Sequence, residues 1–145
     1  MTDGLETAVP QITAASPAPV RMRALAGSID LVPSALAVWL PYEAYPAHGV
    51  LLGVLALVAG FTWLESHGGQ TPGKRLTGLE VRYLDDTPCD LRAALVRTVF
   101  RFVDAFPGIY LIGGFAIAST KRRQRLGDQA AGTSVYRRAD LPADA

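Results

Sequence analysis

Charged residues recur at helical spacing within two apolar stretches of the chain. Arg23 and Asp30 are seven positions apart, which is about two turns of an α-helix and nearly the same face. Arg97 and Asp104 repeat that spacing, and Arg101 lies between them on the same face. An ionised Asp or Arg at the middle of a bilayer costs about 2.5–3.5 kcal/mol. Such charges therefore need an oppositely charged partner, contact with water or a functional role.

Two kinds of chemistry fit these charges. In the first, Arg23 and Arg97 reach the lipid headgroups, and each Asp neutralises an Arg on a neighbouring helix. In the second, Asp30 and Asp104 line a water-filled path and bind a proton or a small cation. This is expected because desolvation raises the pKa of a carboxyl group toward neutral pH. Both interpretations stay open at this point.

The composition places these residues in membrane helices. Half of the 145 residues are apolar and only 19% are charged, against about 25% in soluble domains, and the mean hydropathy is +0.22. We therefore predict an all-α membrane protein with a membrane domain over residues 21–138. A disordered tail (1–20) precedes it and a short tail (139–145) follows it, and the helices lie at about 23–40, 46–64 and 94–120.

The basic residues predict the orientation. The segment between the first two helices, 41–47, has no Lys or Arg, whereas basic residues precede the first helix and follow the second and third. The positive-inside rule then places the N-terminus and the loop after the second helix in the cytoplasm. Since Pro107-Gly108 should kink or stop a helix, we predict a broken or re-entrant third segment with both termini cytoplasmic. A full third crossing stays open.

The segment between the second and third helices is polar. Apolar and charged residues alternate over 79–83, and Asp85-Asp86-Thr87 follows as a turn, which predicts a short cytoplasmic β-hairpin. Four basic residues near the membrane are expected to contact lipid headgroups, and they are Lys74, Arg75, Arg122 and Arg123. We also expect Asp128 to pair with Lys74 or Arg75.

Several classes of function are disfavoured. A net charge of +1 argues against nucleic-acid binding, and one cysteine allows no internal disulfide. His48 and His67 lie at opposite ends of the second helix, so no metal site is expected. The G-x-x-x-x-G-K pattern at 68–74 continues with Arg75 instead of Ser or Thr, which argues against a nucleotide. We find no nucleophile–base pattern, and we expect no enzyme and no cofactor.

Four blocks of sequence carry a family resemblance. They are Arg23–Asp30, Gly69–Leu76 with the strand Gly78–Val81, Arg97–Asp104, and Gln124–Asp128 with Ala131–Thr133. In this order they resemble the RDD family of small membrane proteins, named for one arginine and two aspartates. The resemblance implies a multi-pass, mostly bacterial membrane protein, for which transport, including sodium–proton exchange, has been suggested. The family's arginine maps to Arg23 and its first aspartate to Asp30, while the second maps to Asp104 or Asp128.

The expected function follows from these residues and the resemblance together. We expect an integral protein of the cell membrane, acting as a cation or proton-coupled transporter through Asp30 and Asp104. Two or three helices cannot enclose a pore, so transport requires a homo-oligomer or a partner membrane subunit. The alternative is a non-catalytic membrane scaffold or accessory subunit whose Arg/Asp pairs only specify helix packing.

Overall fold

A computed structural model describes residues 15–104 and 124–141, and the fold is mostly helical. In chain order the elements are α1 (Val20–Ala44), α2 (Gly49–Gly68), α3 (Pro72–Leu76), β1 (Leu79–Tyr83), α4 (Leu91–Asp104), α5 (Leu126–Ala131), β2 (Thr133–Arg137) and a short 3-10 helix (Arg138–Asp140). The prediction of two long apolar helices is confirmed. Helix α1 extends beyond the predicted bounds at both ends, whereas α2 begins and ends later than predicted.

The helices α1 and α2 are each long and apolar enough to cross a membrane. Helix α1 runs through Pro33 and Pro41 without a break. Most of the large apolar side chains of both helices are exposed, among them Leu31, Trp39 and Trp63. Lipid solvates such surfaces in membrane proteins, which agrees with the length and apolar composition of the two helices.

Two glycines let α1 and α2 approach each other closely. A Cβ atom on Gly53 would lie 2.6 Å from the carbonyl oxygen of Ala37, and one on Gly49 would lie 2.2 Å from that of Pro41. Real side chains never come this close to a backbone, so only glycine fits at either position. The pairing of small residues at a helix contact is typical of membrane helices, where packing rather than the hydrophobic effect drives association.

The strand predicted at 79–83 is present as β1, but the predicted hairpin is wrong. Strand β1 pairs antiparallel with β2, in the register Leu79↔Arg137 to Tyr83↔Thr133, and not with the residues that directly follow it. The turn at Asp85-Asp86 exists, with Asp86 at a positive φ of 69°, and it returns the chain only as far as a single bridge between Arg82 and Pro88.

The chain before α1 lies against the other edge of β2. Pro17 forms a bridge with Tyr136, and the Ala18 amide donates a hydrogen bond of 2.8 Å to the carbonyl oxygen of Val135. Helix α1 begins at Val20, within the segment that the sequence assigned to the disordered tail. Residues 1–14 and 142–145 lie outside the described part of the chain.

A small apolar core lies under the sheet, at the end of the helix pair where α1 begins and α2 ends, here called the sheet end. Its members are mostly small, which lets the helices and the sheet approach closely, and they are Ala18, Ala26, Leu79, Val81, Cys89, Ala93, Ala94 and Val135. Asp90 caps α4 against this core, because its Oδ1 accepts the Ala93 amide at 2.8 Å. The predicted hinge at Pro107-Gly108 lies outside the described residues.

Candidate functional site

Glu65 is the centre of a buried charge cluster at the sheet end. Its side chain is 1% exposed, and it accepts hydrogen bonds from Lys74 of α3 on Oε1 and from Arg97 of α4 on Oε2, the latter at 2.9 Å. Arg101 donates to Oε1 from 3.2 Å. One carboxylate therefore binds three cations and joins α2 to α3 and α4.

Sequence reasoning missed Glu65 because the second helix was expected to end at residue 64. The Gly68-Gly69 pair was interpreted as loop, whereas Gly69 adopts a left-handed φ of +62° and ends the helix at Gly68. A glycine in this conformation is the usual C-terminal cap of a helix. Interpreted in that way, the same residues would have placed Glu65 within the last turn of α2.

Asp128 is a second buried carboxylate and binds the two arginines that flank it. It accepts a hydrogen bond from Arg23 at 2.5 Å and another from Arg97, and the Arg125 amide donates to it at 3.1 Å. Burial opposes its ionisation, but the charges of Arg97 and Arg23 outweigh that effect and hold the pKa of Asp128 well below its usual range. Asp128 thereby joins α5 to α1 and α4.

Arg97 connects the two carboxylates. Its Nε donates to Glu65 and its NH1 group to Asp128, and NH1 also donates to the hydroxyl of Thr133 at 2.8 Å. The five donors of a guanidinium in a fixed plane allow such a bridge, which a lysine could not make. This single side chain therefore joins α4 to α2, α5 and β2.

Asp30 holds the short helix α3 against α1. Its Oδ2 accepts the Thr71 hydroxyl at 2.6 Å and its Oδ1 accepts the Gly73 amide at 2.7 Å. Arg101 approaches within 3.9 Å. A Cβ atom on Gly73 would lie 2.0 Å from the carbonyl oxygen of Ala26, so the glycine is what permits this contact.

The structure brings together most of the residues that the sequence selected. Arg23, Asp30, Arg97, Arg101 and Asp128 all belong to the cluster. Arg23 and Asp30 share a helix face but bind different partners, since Arg23 reaches Asp128 while Asp30 binds α3. The side chain of Asp104, at the end of α4, lies outside the described contacts.

The predicted partners of Asp128 are wrong. Asp128 binds Arg23 and Arg97, whereas Lys74 binds Glu65 and is only 7% exposed. Lys74 is thus placed inside the cluster and not at the headgroup surface expected for it, while Arg75 is exposed. The other two residues expected at headgroups, Arg122 and Arg123, lie outside the described residues.

A cavity of about 270 Å³ adjoins the cluster between α1, α4 and α5. Asp30 and Arg101 lie in its wall, and the side chain of Arg101 is 31% exposed, more than the other basic side chains that bind Glu65. Arg101 also lies over the ring of Phe61, with its guanidinium carbon 4.4 Å from the ring centre. The cavity therefore brings solvent or a ligand up to an otherwise buried set of charges.

The surroundings of two other reactive side chains, Cys89 and Tyr83, disfavour their ionisation. Burial raises the pKa of the Cys89 thiol to about 11, which suppresses the thiolate. Burial and a hydrogen bond to Asp90 raise the pKa of Tyr83 to about 12. Within residues 15–104 and 124–141, no group of three or more His, Cys, Asp or Glu side chains could hold a metal ion.

Comparison with known proteins identifies a family. The sequence model of the RDD family matches residues 17–132, which is most of the chain and includes Arg23, Asp30, Glu65, Arg97 and Asp128. Neither a curated protein nor a solved structure matches the chain.

Proposed function

The chain belongs to the RDD family, and from that premise we propose that it is a multi-pass protein of the cell membrane with a structural role. In this proposal it is a non-catalytic scaffold or accessory subunit. Its two apolar helices lie in the bilayer, and the charge cluster fastens the sheet, α3 and α5 to one end of them.

The observation that carries this proposal is the mutual neutralisation of the cluster. Glu65 and Asp128 each accept hydrogen bonds from two other helices, Asp30 accepts two from α3 and its N-cap residue, and each ion pair in the cluster joins residues from different elements. Carboxylates held in this way specify packing, because moving any one element breaks charged contacts in several others. A site that binds and releases a cation needs a carboxylate with weaker protein contacts.

The charges on the connecting segments support an orientation. The segment that joins α1 to α2 has no Lys or Arg, whereas the sheet end has many, so the sheet end is cytoplasmic in this proposal. Both termini then lie in the cytoplasm, and the third apolar segment is re-entrant. The lipid bilayer is the first partner, and a second copy or another membrane subunit would complete the assembly.

A second candidate function is transport of a proton or a small cation. The observation that favours it is the position of Asp30, which is 4% exposed and lies in the cavity wall. Asp30 would be the group that binds the proton or cation, with Arg101 as the nearest basic side chain, 3.9 Å away. Because the described helices cannot enclose a pore, this function requires a homo-oligomer.

Vesicles that contain the purified protein distinguish the two functions. A proton gradient is imposed, and its collapse on addition of sodium, potassium or lithium is compared for the wild type and Asp30→Asn. Asn keeps the shape and one acceptor oxygen for the Gly73 amide, its NH2 group can donate to the Thr71 hydroxyl oxygen instead of accepting from it, and it carries no charge. The scaffold proposal predicts no cation-dependent collapse for either protein. Collapse in the wild type that disappears in folded Asp30→Asn would establish transport and overturn the scaffold.

A further inference from the structure

We propose that a second, polar cavity at the end of α2, bordered by α3, β1 and the 3-10 helix, binds a phosphate group. The phosphate is carried either by a soluble compound or by a lipid headgroup. The cavity has a volume of about 760 Å³ and shares no lining residue with the cavity beside Asp30 and Arg101. Three arginines from three elements line it, and they are Arg75, Arg82 and Arg138. This inference goes beyond the structural role proposed above and does not depend on it.

The first argument is the charge of the cavity wall. Glu80 is the one acidic side chain among the lining residues. Its Oε1 accepts a hydrogen bond from Arg82 Nε at 2.8 Å, and its Oε2 lies 3.8 Å from Arg138 Nε. Within the described ranges, no other carboxylate forms an ion pair with Arg75, Arg82 or Arg138. Three cations therefore face one carboxylate, and a phosphate monoester, with about 1.5 to 2 negative charges at pH 7, would balance this excess.

The second argument is an unused donor on a buried side chain. Arg82 is 8% exposed, and its Nε and Nη1 groups donate to Glu80 and to the carbonyl oxygen of Asp86, the latter at 3.2 Å. Its Nη2 group donates to no residue in the part of the chain that the structure describes. A guanidinium nitrogen of a buried side chain is costly without an acceptor, so water or a ligand in the cavity must supply one.

The third argument is the position of Arg75. A Cβ atom on Gly68 would lie 4.0 Å from Arg75 Nη2, so the guanidinium lies beside the end of α2. Helix α3, which carries Arg75, is itself held in place, because Asp30 accepts the Gly73 amide at 2.7 Å. The side chain of Arg75 donates to no residue of 15–104 or 124–141. Its planar fork of donors is therefore available to two oxygens of one phosphate.

The remaining side chains of the wall favour a soluble compound as the source of the phosphate. Ser66, His67 and Gln70 line the cavity beside the arginines, and they offer hydrogen bonds rather than an apolar surface. The hydrocarbon part of a lipid would gain little from such a wall. A headgroup that reaches the arginines from the bilayer is the other source, and the experiment separates the two.

Binding is measured on the purified full chain in detergent, in a phosphate-free buffer of constant ionic strength. Inorganic phosphate is titrated by calorimetry, and dioleoyl-phosphatidic acid is titrated separately by native mass spectrometry. Arg75→Gln and Arg138→Gln each remove one cation of the cavity. The matched controls are Arg92→Gln and Arg137→Gln, because both arginines are exposed and neither lines the cavity.

We expect saturable binding of inorganic phosphate that is weaker by about ten-fold or more in Arg75→Gln and in Arg138→Gln, the loss expected for one charged hydrogen bond. Both control variants should bind like the wild type. Saturable binding of phosphatidic acid with the same dependence on Arg75 and Arg138, without binding of inorganic phosphate, would identify a lipid headgroup as the source and would equally support the site.

Two results would overturn the proposal. One is the absence of saturable binding of both probes to the wild type. The other is an equal loss of binding in Arg137→Gln and Arg138→Gln, which would mark a general charge effect. All four substituted arginines are exposed, so we expect each variant to fold, and its melting temperature without ligand checks this. If Arg138→Gln does not fold, Arg75→Gln against Arg92→Gln decides the test.

Discussion

At the scale of single residues, the central carboxylate of the cluster, Glu65, is one that the sequence did not make conspicuous, whereas its partner Arg97 is. Charges inside predicted membrane segments are easy to notice, and in this way Arg23, Asp30, Arg97 and Arg101 were selected. Glu65 lies one residue beyond the expected end of its helix and was counted as loop. The position of a helix end thus decided whether the central carboxylate was found.

Removal of the Glu65 charge should destabilise the protein strongly. Glu65→Gln leaves Lys74, Arg97 and Arg101 without their shared carboxylate, and breaking a buried ion pair in this way costs about 3–5 kcal/mol. The free energy of unfolding is measured in increasing SDS from the alkylation rate of Cys89, the single cysteine of the chain, which is 2% exposed. Glu43→Gln, on an exposed site of α1, is the control. A loss below about 1 kcal/mol for Glu65→Gln would contradict its central position.

The ionisation of Asp128 should make stability depend on pH in the acid range. Its pKa is depressed in the folded protein, so the unfolded chain takes up the proton first as the pH falls below about 4. The free energy of unfolding therefore decreases as the pH falls further below about 4. Measured between pH 7 and pH 3, the advantage of the wild type over Asp128→Asn should shrink as the pH falls. A difference between wild type and Asp128→Asn that does not change with pH would exclude this effect. The control Asp140→Asn, at an exposed site, should show the same dependence of the unfolding free energy on pH as the wild type.

At the scale of elements, the helix pair depends on glycines at defined positions. Gly49 and Gly53 lie against the backbone of α1, whereas a Cβ atom on Gly60 would meet nothing within 4 Å. The pattern of small residues in α2 was visible in the sequence. Which of these glycines face α1 was not, because the rotation of one helix against another depends on the packing of both.

Substitutions of the α2 glycines should have two kinds of effect, depending on whether the glycine lies against the backbone of α1. Gly53→Ala forces the backbones of α1 and α2 apart and should cost about 1–3 kcal/mol, as overpacking does. Gly60→Ala should be neutral or stabilise the helix by up to about 1 kcal/mol, since alanine is the better helix former. Thermal unfolding in one detergent compares the two variants with the wild type. Equal effects of both would mean that α2 presents a different face to α1.

The sheet shows where local sequence patterns stop being informative. Alternation of apolar and charged residues predicted β1 correctly, and the Asp85-Asp86 turn is present as well. The partner strand was mistaken because β2 lies some fifty residues further along the chain, and no local signal links the two. Strand pairing over that distance is specified by the shared core under the sheet, where Val81 faces Val135 in the register.

At the scale of the whole molecule, the cluster joins an early and a late segment of the described chain at one end of the helix pair. Arg23 follows the beginning of α1 and Asp128 lies in α5, and their ion pair joins residues 105 positions apart. Asp104 and Asp128 both lie within residues 17–132, so either can be the second aspartate that names the family.

The proposed orientation makes a prediction for topology reporters. A reporter active only in the cytoplasm should be active when fused after Ala145 and inactive when inserted between Pro46 and Gly49. The absence of Lys and Arg from the α1–α2 connection is the physical reason, since basic loops remain on the cytoplasmic side. A fusion after Ala145 that is active only outside the cytoplasm would mean that the third segment crosses fully.

A double-mutant cycle on Arg23 and Asp128 tests most directly whether the charge cluster holds the whole chain together. The free energy of unfolding is measured for the wild type, Arg23→Gln, Asp128→Asn and the double variant, with the cycle Arg92→Gln and Asp140→Asn as the exposed control. We predict a coupling energy of about 1–3 kcal/mol for the buried pair, the range expected for contacting residues. Costs that add within about 0.5 kcal/mol would contradict the account, because the two side chains would then act independently.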